Sequence, residues 1–242
     1  MTLVVVVGLA REARVLRRRA RVVIGAKGLD AALADGATGV MSFGLCGGLD
    51  PNLKVGDTVI GTGVVSGEDR YEAGSAWTRQ IASALPHATH VHFAASDTIV
   101  GSSGEKAALR AQTGAGAVDM ESHLVAQAAE KAGIPFAIVR TVSDPAHHEL
   151  PHAAKAGFKA DGVVDVAAVL GALVRRPHEL PSMVSIARAA GHAFKALEHA
   201  AASIAGDHAL SFRPRSARIS LAALWPGAPV TPPPGWVPAP QR

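Results

Sequence analysis

The chain has one cysteine, Cys46, among 242 residues, so no disulfide framework can form within it. Aromatic residues make up only 4% of the sequence, and a single tyrosine is present, so the core must be built from Ala, Val, Leu and Gly at close spacing. Long apolar runs are missing as well. None approaches the ~18 residues that a membrane-spanning helix requires. The apolar N-terminal stretch Val4–Val7 lacks the basic region and cleavage site of a signal peptide. It reads as a buried first strand, and the expected location is the cytoplasm. Charge is modest too. The formal net charge is +4, and no RNA-binding module is visible, so nucleic acid is not an expected partner.

What is present is an alternation of short β-branched runs with Ala-rich helical stretches. Val4 to Val7 ends at Gly8, as a strand buried on both faces would. Helical pattern follows over 10–19, a strand over 21–24 and a helix over 29–34 closed by Gly36. The strand 38–43 empties into a glycine-rich turn, Gly44-Leu45-Cys46-Gly47-Gly48-Leu49. Further strands are expected at 58–65, 90–94, 117–119 and 134–142, and helices at 77–85, 105–112, 121–132 and 163–174. This order predicts an α/β domain over 1–176 with a mixed, mainly parallel central sheet flanked by helices. Residues 177–211 read as a helical extension whose long helix is interrupted by Gly191. Residues 212–242 are rich in Arg, Ser and Pro, a composition that does not fold independently.

Two segments carry the chemistry. Asp119-Met120-Glu121 opens a helix, and Arg140-Thr141-Val142-Ser143-Asp144 closes an apolar strand. Carboxylates of unlike surroundings at neighbouring strand ends can divide the breaking of a glycosidic bond. One holds the sugar, and the other, protonated, donates to the leaving base. Glu121 could instead serve its helix N-terminus through the dipole, and Asp144-Pro145 could be a simple turn. His147-His148-Glu149 and His152 lack the helical spacing of a metal site, and no metal or other cofactor is expected.

Four motifs in order complete the pattern: Gly47-Gly48-Leu49…Leu53-Lys54-Val55-Gly56-Asp57, Asp119-Met120-Glu121, Arg140, and Ser143-Asp144. Together they resemble the purine nucleoside phosphorylase and methylthioadenosine nucleosidase superfamily over roughly residues 3 to 174. The version Ser42-Phe43-Gly44…Gly47-Gly48-Leu49-Asp50-Pro51 is most similar to its hopanoid-associated branch.

The resemblance implies a three-layer nucleoside phosphorylase-like fold and an enzyme that cleaves the N-glycosidic bond of an adenine nucleoside. Asp144 would protonate the purine, Glu121 would hold the ribose hydroxyls with Met120 packed on the sugar, and Glu12 would activate water. Gly8 and Arg11 belong to a turn that holds an anion in phosphorolytic relatives, so inorganic phosphate is the alternative co-substrate. Gly44 and Gly47 would let the backbone approach the ribose or an anion, with Leu45 standing where nucleosidases have serine. Arg140 would orient the neighbouring carboxylates, and Ser143 and Asp97 complete the binding set. Ile99 or Val100 would replace the usual purine-stacking ring, and the loop at 147–152 would close over the substrate.

The short front half, from Gly8 to Gly44, leaves the nucleoside's 5′ side open. With the hopanoid branch, that implies an apolar, lipid-linked 5′ group of the adenosylhopane kind. The basic run Arg17-Arg18-Arg19 with Arg21 would then contact a membrane surface peripherally. The family also implies a homo-oligomer. The alternatives are a methylthioadenosine/S-adenosylhomocysteine-type nucleosidase, and a nucleoside-binding protein that has lost turnover.

Overall fold

The computed structural model describes residues 2–16, 20–157 and 165–206. The run Arg17-Arg18-Arg19 and the tail from 212 onward lie outside the described residues. Among the described residues eight strands and eight α-helices follow one another: β1 (Thr2–Val7), α1 (Ala10–Leu16), β2 (Arg21–Ile24), α2 (Leu29–Ala34), β3 (Ala37–Gly48), β4 (Thr58–Ser66), β5 (Asp69–Glu72), α3 (Ser75–Ala84), β6 (Thr89–Ala95), α4 (Ser103–Thr113), β7 (Ala117–Asp119), α5 (Ser122–Ala132), β8 (Phe136–Asp144), α6 (His152–Gly157), α7 (Val166–Arg175) and α8 (Leu180–Gly206). No helix among the described residues is long and apolar enough to cross a membrane.

The strands form one mixed sheet in the order β2-β1-β3-β7-β6-β4-β5, and β8 pairs with both β3 and β4. Five pairings are parallel and three antiparallel, as the α/β alternation predicted. Because β8 bridges β3 and β4, the strands β3, β8, β4, β6 and β7 close into a ring. Closure leaves none of the five with a free edge.

Two apolar layers sandwich the sheet. On one side Val4, Val6, Val40 and Ile138 pack with Leu29 and Leu33 of α2 and Val125 and Ala129 of α5. On the other, Val5, Val7, Met41, Phe43 and Val139 pack with Leu16 of α1, Trp77 and Ile81 of α3, and Phe194, Leu197, Ala201 and Ile204 of α8. Strands buried on both faces need apolar residues at every position, which explains the unbroken Val runs. The described part of segment 177–211 therefore contributes directly to the core of the sheet domain. Its long helix runs through Gly191 without a break.

One sequence expectation is corrected here. The glycine-rich stretch 44–48 is strand, the second half of β3, and not a turn. It pairs in parallel register with β8, Gly44 opposite Arg140 and Gly47 opposite Asp144. Glycine disfavours strands in general, but here side chains from other elements lie against the bare Cα atoms. A Cβ on Gly44 would sit 2.6 Å from the Glu12 carboxyl, and one on Gly47 would sit 3.2 Å from Asp144 Oδ2. The hairpin between β4 and β5 was not anticipated. Its two-residue loop carries Gly67 at φ +61°, the conformation such tight turns demand.

Candidate active site

The site is built where β1, β3, β7 and β8 end. In β3, Gly47 has Val118 of β7 on one side and Asp144 of β8 on the other. Two inter-strand spacings, roughly 10 Å, thus separate the backbone leading to Glu121 from that bearing Asp144.

Arg140, 1% exposed, is the hub of one half of the site. Its Nε lies 2.7 Å from Asp119 Oδ2, and its Nη2 lies 3.0 Å from Glu121 Oε2. Nη2 also donates to Ser42 Oγ at 2.6 Å, and Nη1 to the Leu45 carbonyl at 2.9 Å. Burial by itself would lower the affinity of this guanidinium for its proton. Asp119, Glu121 and Glu12 outweigh that and hold its pKa above the usual value. The guanidinium is a fixed charge, and four groups orient it.

Asp119, which sequence reasoning treated only as part of a motif, organises the start of α5. Its Oδ1 accepts from the N–H groups of Glu121 (3.3 Å) and Ser122 (2.9 Å). Its Oδ2 contacts Ser122 Oγ, which in turn donates to Ser42 Oγ at 2.9 Å. Glu121 occupies the N-cap position, yet its side chain makes no capping bond. Asp119 performs that duty, and the Glu121 carboxylate is free for Arg140. The absent side chain of Gly8 makes room for it, since a Cβ there would lie 2.6 Å from Glu121 Oε1. Burial raises the Glu121 pKa against the pull of Arg140. Met120, between the two acids, is 36% exposed and is one of few large apolar side chains at the surface.

Glu12 is 1% exposed, in the first turn of α1. Its Oε2 accepts from the N–H groups of Gly8 and Leu9, both at 2.9 Å, and its Oε1 accepts from Leu45 at 2.8 Å. The acid thus ties the β1–α1 turn to β3. Burial raises its pKa, opposed first by Arg140.

The other half of the site centres on Asp144, the last residue of β8. Ser143 Oγ lies 2.6 Å from its Oδ1 and 3.2 Å from the Cys46 carbonyl oxygen. Its Oδ2 lies 2.8 Å from Nζ of Lys106, a fully buried side chain on α4. Sequence reasoning missed Lys106, because Glu105-Lys106-Ala107-Ala108-Leu109-Arg110 reads as an ordinary solvated helix. Buried His123 of α5 has its Nε2 3.5 Å from the exposed Asp97. Its Nδ1 has no hydrogen-bond partner among the described residues.

Two expected members stand elsewhere. The Arg11 guanidinium lies 4.0 Å over the Phe194 ring and faces a cleft of about 390 Å³ between α1 and α8, lined also by Arg14 and Glu198. The loop at 147–152 is stapled to α4: Ser103 Oγ donates to Glu149 Oε1 at 2.9 Å, and Leu150 N to the Gly101 carbonyl at 2.7 Å. Val100 packs half-buried against Leu49, Val118 and Leu109. Among the described residues no group of three His, Cys, Asp or Glu side chains could hold a metal ion.

Two carboxylates thus stand near the strand ends, one bound to a guanidinium and one to an ammonium, in an enzyme of the nucleoside phosphorylase or nucleosidase type. The sequence pattern of the phosphorylase superfamily matches residues 29–175, more than half the chain, and the protein belongs to that superfamily. Solved structures share the fold. The futalosine hydrolase of Helicobacter pylori strain 26695 superimposes with a TM-score of 0.59 at 15% identity, covering 87% of this chain and 97% of that one. The 5′-methylthioadenosine/S-adenosylhomocysteine nucleosidase of Neisseria meningitidis, in complex with methylthio-immucillin-A, gives 0.56 at 22% identity, covering 86% and 97%. The S-adenosylhomocysteine nucleosidase of Streptococcus pyogenes, in complex with 5-methylthiotubericidin, gives 0.58 at 16%, covering 83% and 95%. No curated protein matches the chain.

Proposed function

We propose that the protein cleaves the N-glycosidic bond of an adenine nucleoside bearing an apolar 5′ substituent of the adenosylhopane kind, and releases adenine. The observation that carries this reading is the placement of Glu121, held over Gly8 by Arg140, across β3 from Asp144. A carboxylate beneath the ribose favours positive charge developing at C1′. A carboxyl at the purine edge carries the proton that N7 needs as the bond to the base breaks. Met120 provides an apolar contact for the sugar, and Val100 one for the base.

Water is the proposed nucleophile. Glu12 occupies the N–H groups of Gly8 and Leu9, the donors that an anion at this turn would use. Three of the roughly four acceptor positions of its carboxylate are filled, which leaves one for a water proton. Burial raises its pKa, and so makes it the stronger base. The short segment between β1 and β3, with only α1, β2 and α2, leaves the 5′ side open for a large substituent. A lipid-linked substrate would bring the protein to a membrane surface peripherally.

The test is adenine release from a 5′-alkyl-5′-deoxyadenosine, with and without phosphate, by the native protein and by Asp144→Asn and Glu121→Gln. Phosphate-independent release abolished by both substitutions is the expected result. A strict phosphate requirement would replace hydrolysis with phosphorolysis. Faster release from methylthioadenosine than from any long-chain analogue would reassign the 5′ group. Binding without release would leave only a nucleoside-binding protein.

A further inference from the structure

Lys106 has no place in the reaction as described so far, yet it is the most completely buried amine among the described residues. Its Nζ donates to the carbonyl oxygens of Asp144 (3.0 Å), Pro145 (2.9 Å) and His148 (3.3 Å) and lies 2.8 Å from Asp144 Oδ2. An ammonium has three N–H bonds for these four oxygens. A purely structural clamp on the turn would need only the carbonyls, whereas the shortest of the four contacts is to the carboxylate.

The other charged and titratable groups nearby are engaged elsewhere or face away. Glu105 accepts from the N–H groups of Gly101 and Ser102, and Arg110 pairs with Asp50. From the turn after β8, His147 packs edge-on against His148. His148 is held below the ordinary histidine pKa by its own burial, then by His147 and Lys106. Ser143 supplies a hydroxyl to the other carboxylate oxygen.

We propose that Lys106 is the proton reserve of the site, a positioning residue that both aims Asp144 and restocks it. This rests on the nucleoside-cleaving reading above. Asp144 and Lys106 share one transferable proton, held on nitrogen as an ion pair or on oxygen as a neutral pair. Moving it between them leaves the net charge of the buried pair unchanged. The shared proton crosses from Lys106 Nζ to the Asp144 carboxylate; as the C1′–N9 bond breaks, its electrons go to the purine and N7 takes that proton, leaving an Asp144 carboxylate beside a neutral Lys106 amine. The proton released by the attacking water returns the amine to ammonium by way of solvent. A guanidinium could not take this role, because it does not give up its proton in proteins.

Lys106→Arg and Lys106→Met separate positioning from proton supply. The arginine keeps the cation beside Asp144 but withholds the proton, so kcat at pH 7.5 should fall by about 100-fold with KM little changed. The methionine forces Asp144 to draw protons from solvent, so its kcat should recover steadily as pH is lowered from about 8 to 5. A Lys106→Arg protein with native kcat would overturn the proposal. So would a Lys106→Met protein impaired equally at every pH.

Adenine binding by the native protein, measured calorimetrically in buffers of different ionisation heat, needs no variant to fold. No net proton uptake is expected, and uptake of one proton per adenine would refute the shared proton. Native protein that neither binds nor releases adenine would mean that the functional reading itself has failed. Native release with unaffected Lys106→Arg would sink this inference alone.

Discussion

Arg140 and Lys106 are both buried cations that bind strand-end carboxylates, but they solve different problems. Arg140 gathers Asp119 and Glu121 as ion pairs, and its remaining N–H groups reach Ser42 and the Leu45 carbonyl. Lys106 gathers one carboxylate, and its remaining bonds go to main-chain oxygens. The first arrangement is rigid, planar and permanently charged, so it stabilises charge without proton movement. The second is a point charge on a group that can lose its proton. The fold thus buries one cation that is permanently charged and one whose side chain is able to lose its proton.

The comparison is most severely tested by removing the static cation. Arg140→Met would leave Asp119, Glu121 and Glu12 without their common counter-charge. Loss of one partner of a buried ionic cluster costs about 3–5 kcal/mol, or roughly 6–20 °C in melting temperature for a chain of this size. Thermal denaturation reads it directly, and Lys106→Met should lower the melting temperature by less. Equal losses would show that both cations serve mainly to hold the fold.

Next in size are effects on turnover. Asp144→Asn should lower kcat by about 10²- to 10⁴-fold and Glu121→Gln by about 10²- to 10³-fold, in each case with a shift in melting temperature of only a few degrees. Steady-state adenine release, beside a melting curve for each variant, measures both.

A third contrast uses glycine. Gly8→Ala would push a methyl group into the Glu121 carboxyl, and a displacement of about 1 Å can cost 10²-fold in rate. Gly104→Ala on α4 meets nothing within 4 Å and should instead stabilise the helix by about 0.5–1 kcal/mol.

A smaller effect is expected in the pH dependence of stability. Burial raises the folded-state pKa of Glu121 above its ordinary 4.5, so between the two values the folded protein binds more protons than the unfolded one. The stability linked to that proton is present at acid pH and is lost as pH rises through the folded-state pKa. Glu121→Gln should therefore flatten the fall in melting temperature between about pH 5 and 8; a steeper fall would mean that Arg140 outweighs burial. Smallest of all, Arg110→Ala, one turn from Lys106, should cost under about 1 kcal/mol, because its pair with Asp50 is surface-exposed, and should leave adenine release intact.

Much of this was legible in the sequence. The Val run of β1 and the apolar start of β8 gave buried strands because full burial leaves no room for polar alternation. Glu121 and Asp144 stood out because a carboxylate at a helix start and another at a strand end are positions that α/β folds bring together. The glycines of β3 misled, since glycine usually signals a turn, and only the approach of Glu12 and Asp144 shows why a strand needs them. Lys106 was illegible for a different reason. Nothing in a helix with charges at 105, 106 and 110 reveals which one faces the sheet, and the other two are both taken up at the helix surface. Asp119 was read as a strand end, while its hydrogen bonds run forward to the following helix.

The bare Cα atoms of Gly8, Gly44 and Gly47 also set terms for the descent of this protein. Each is the floor on which one acidic group rests, so a lineage cannot accept a side chain at any of them without shifting that acid. The loops beyond the strand ends carry no such obligation. Divergence in substrate choice within this lineage should therefore accumulate in the loops, while the glycines persist even among relatives whose remaining sequence has drifted beyond easy alignment.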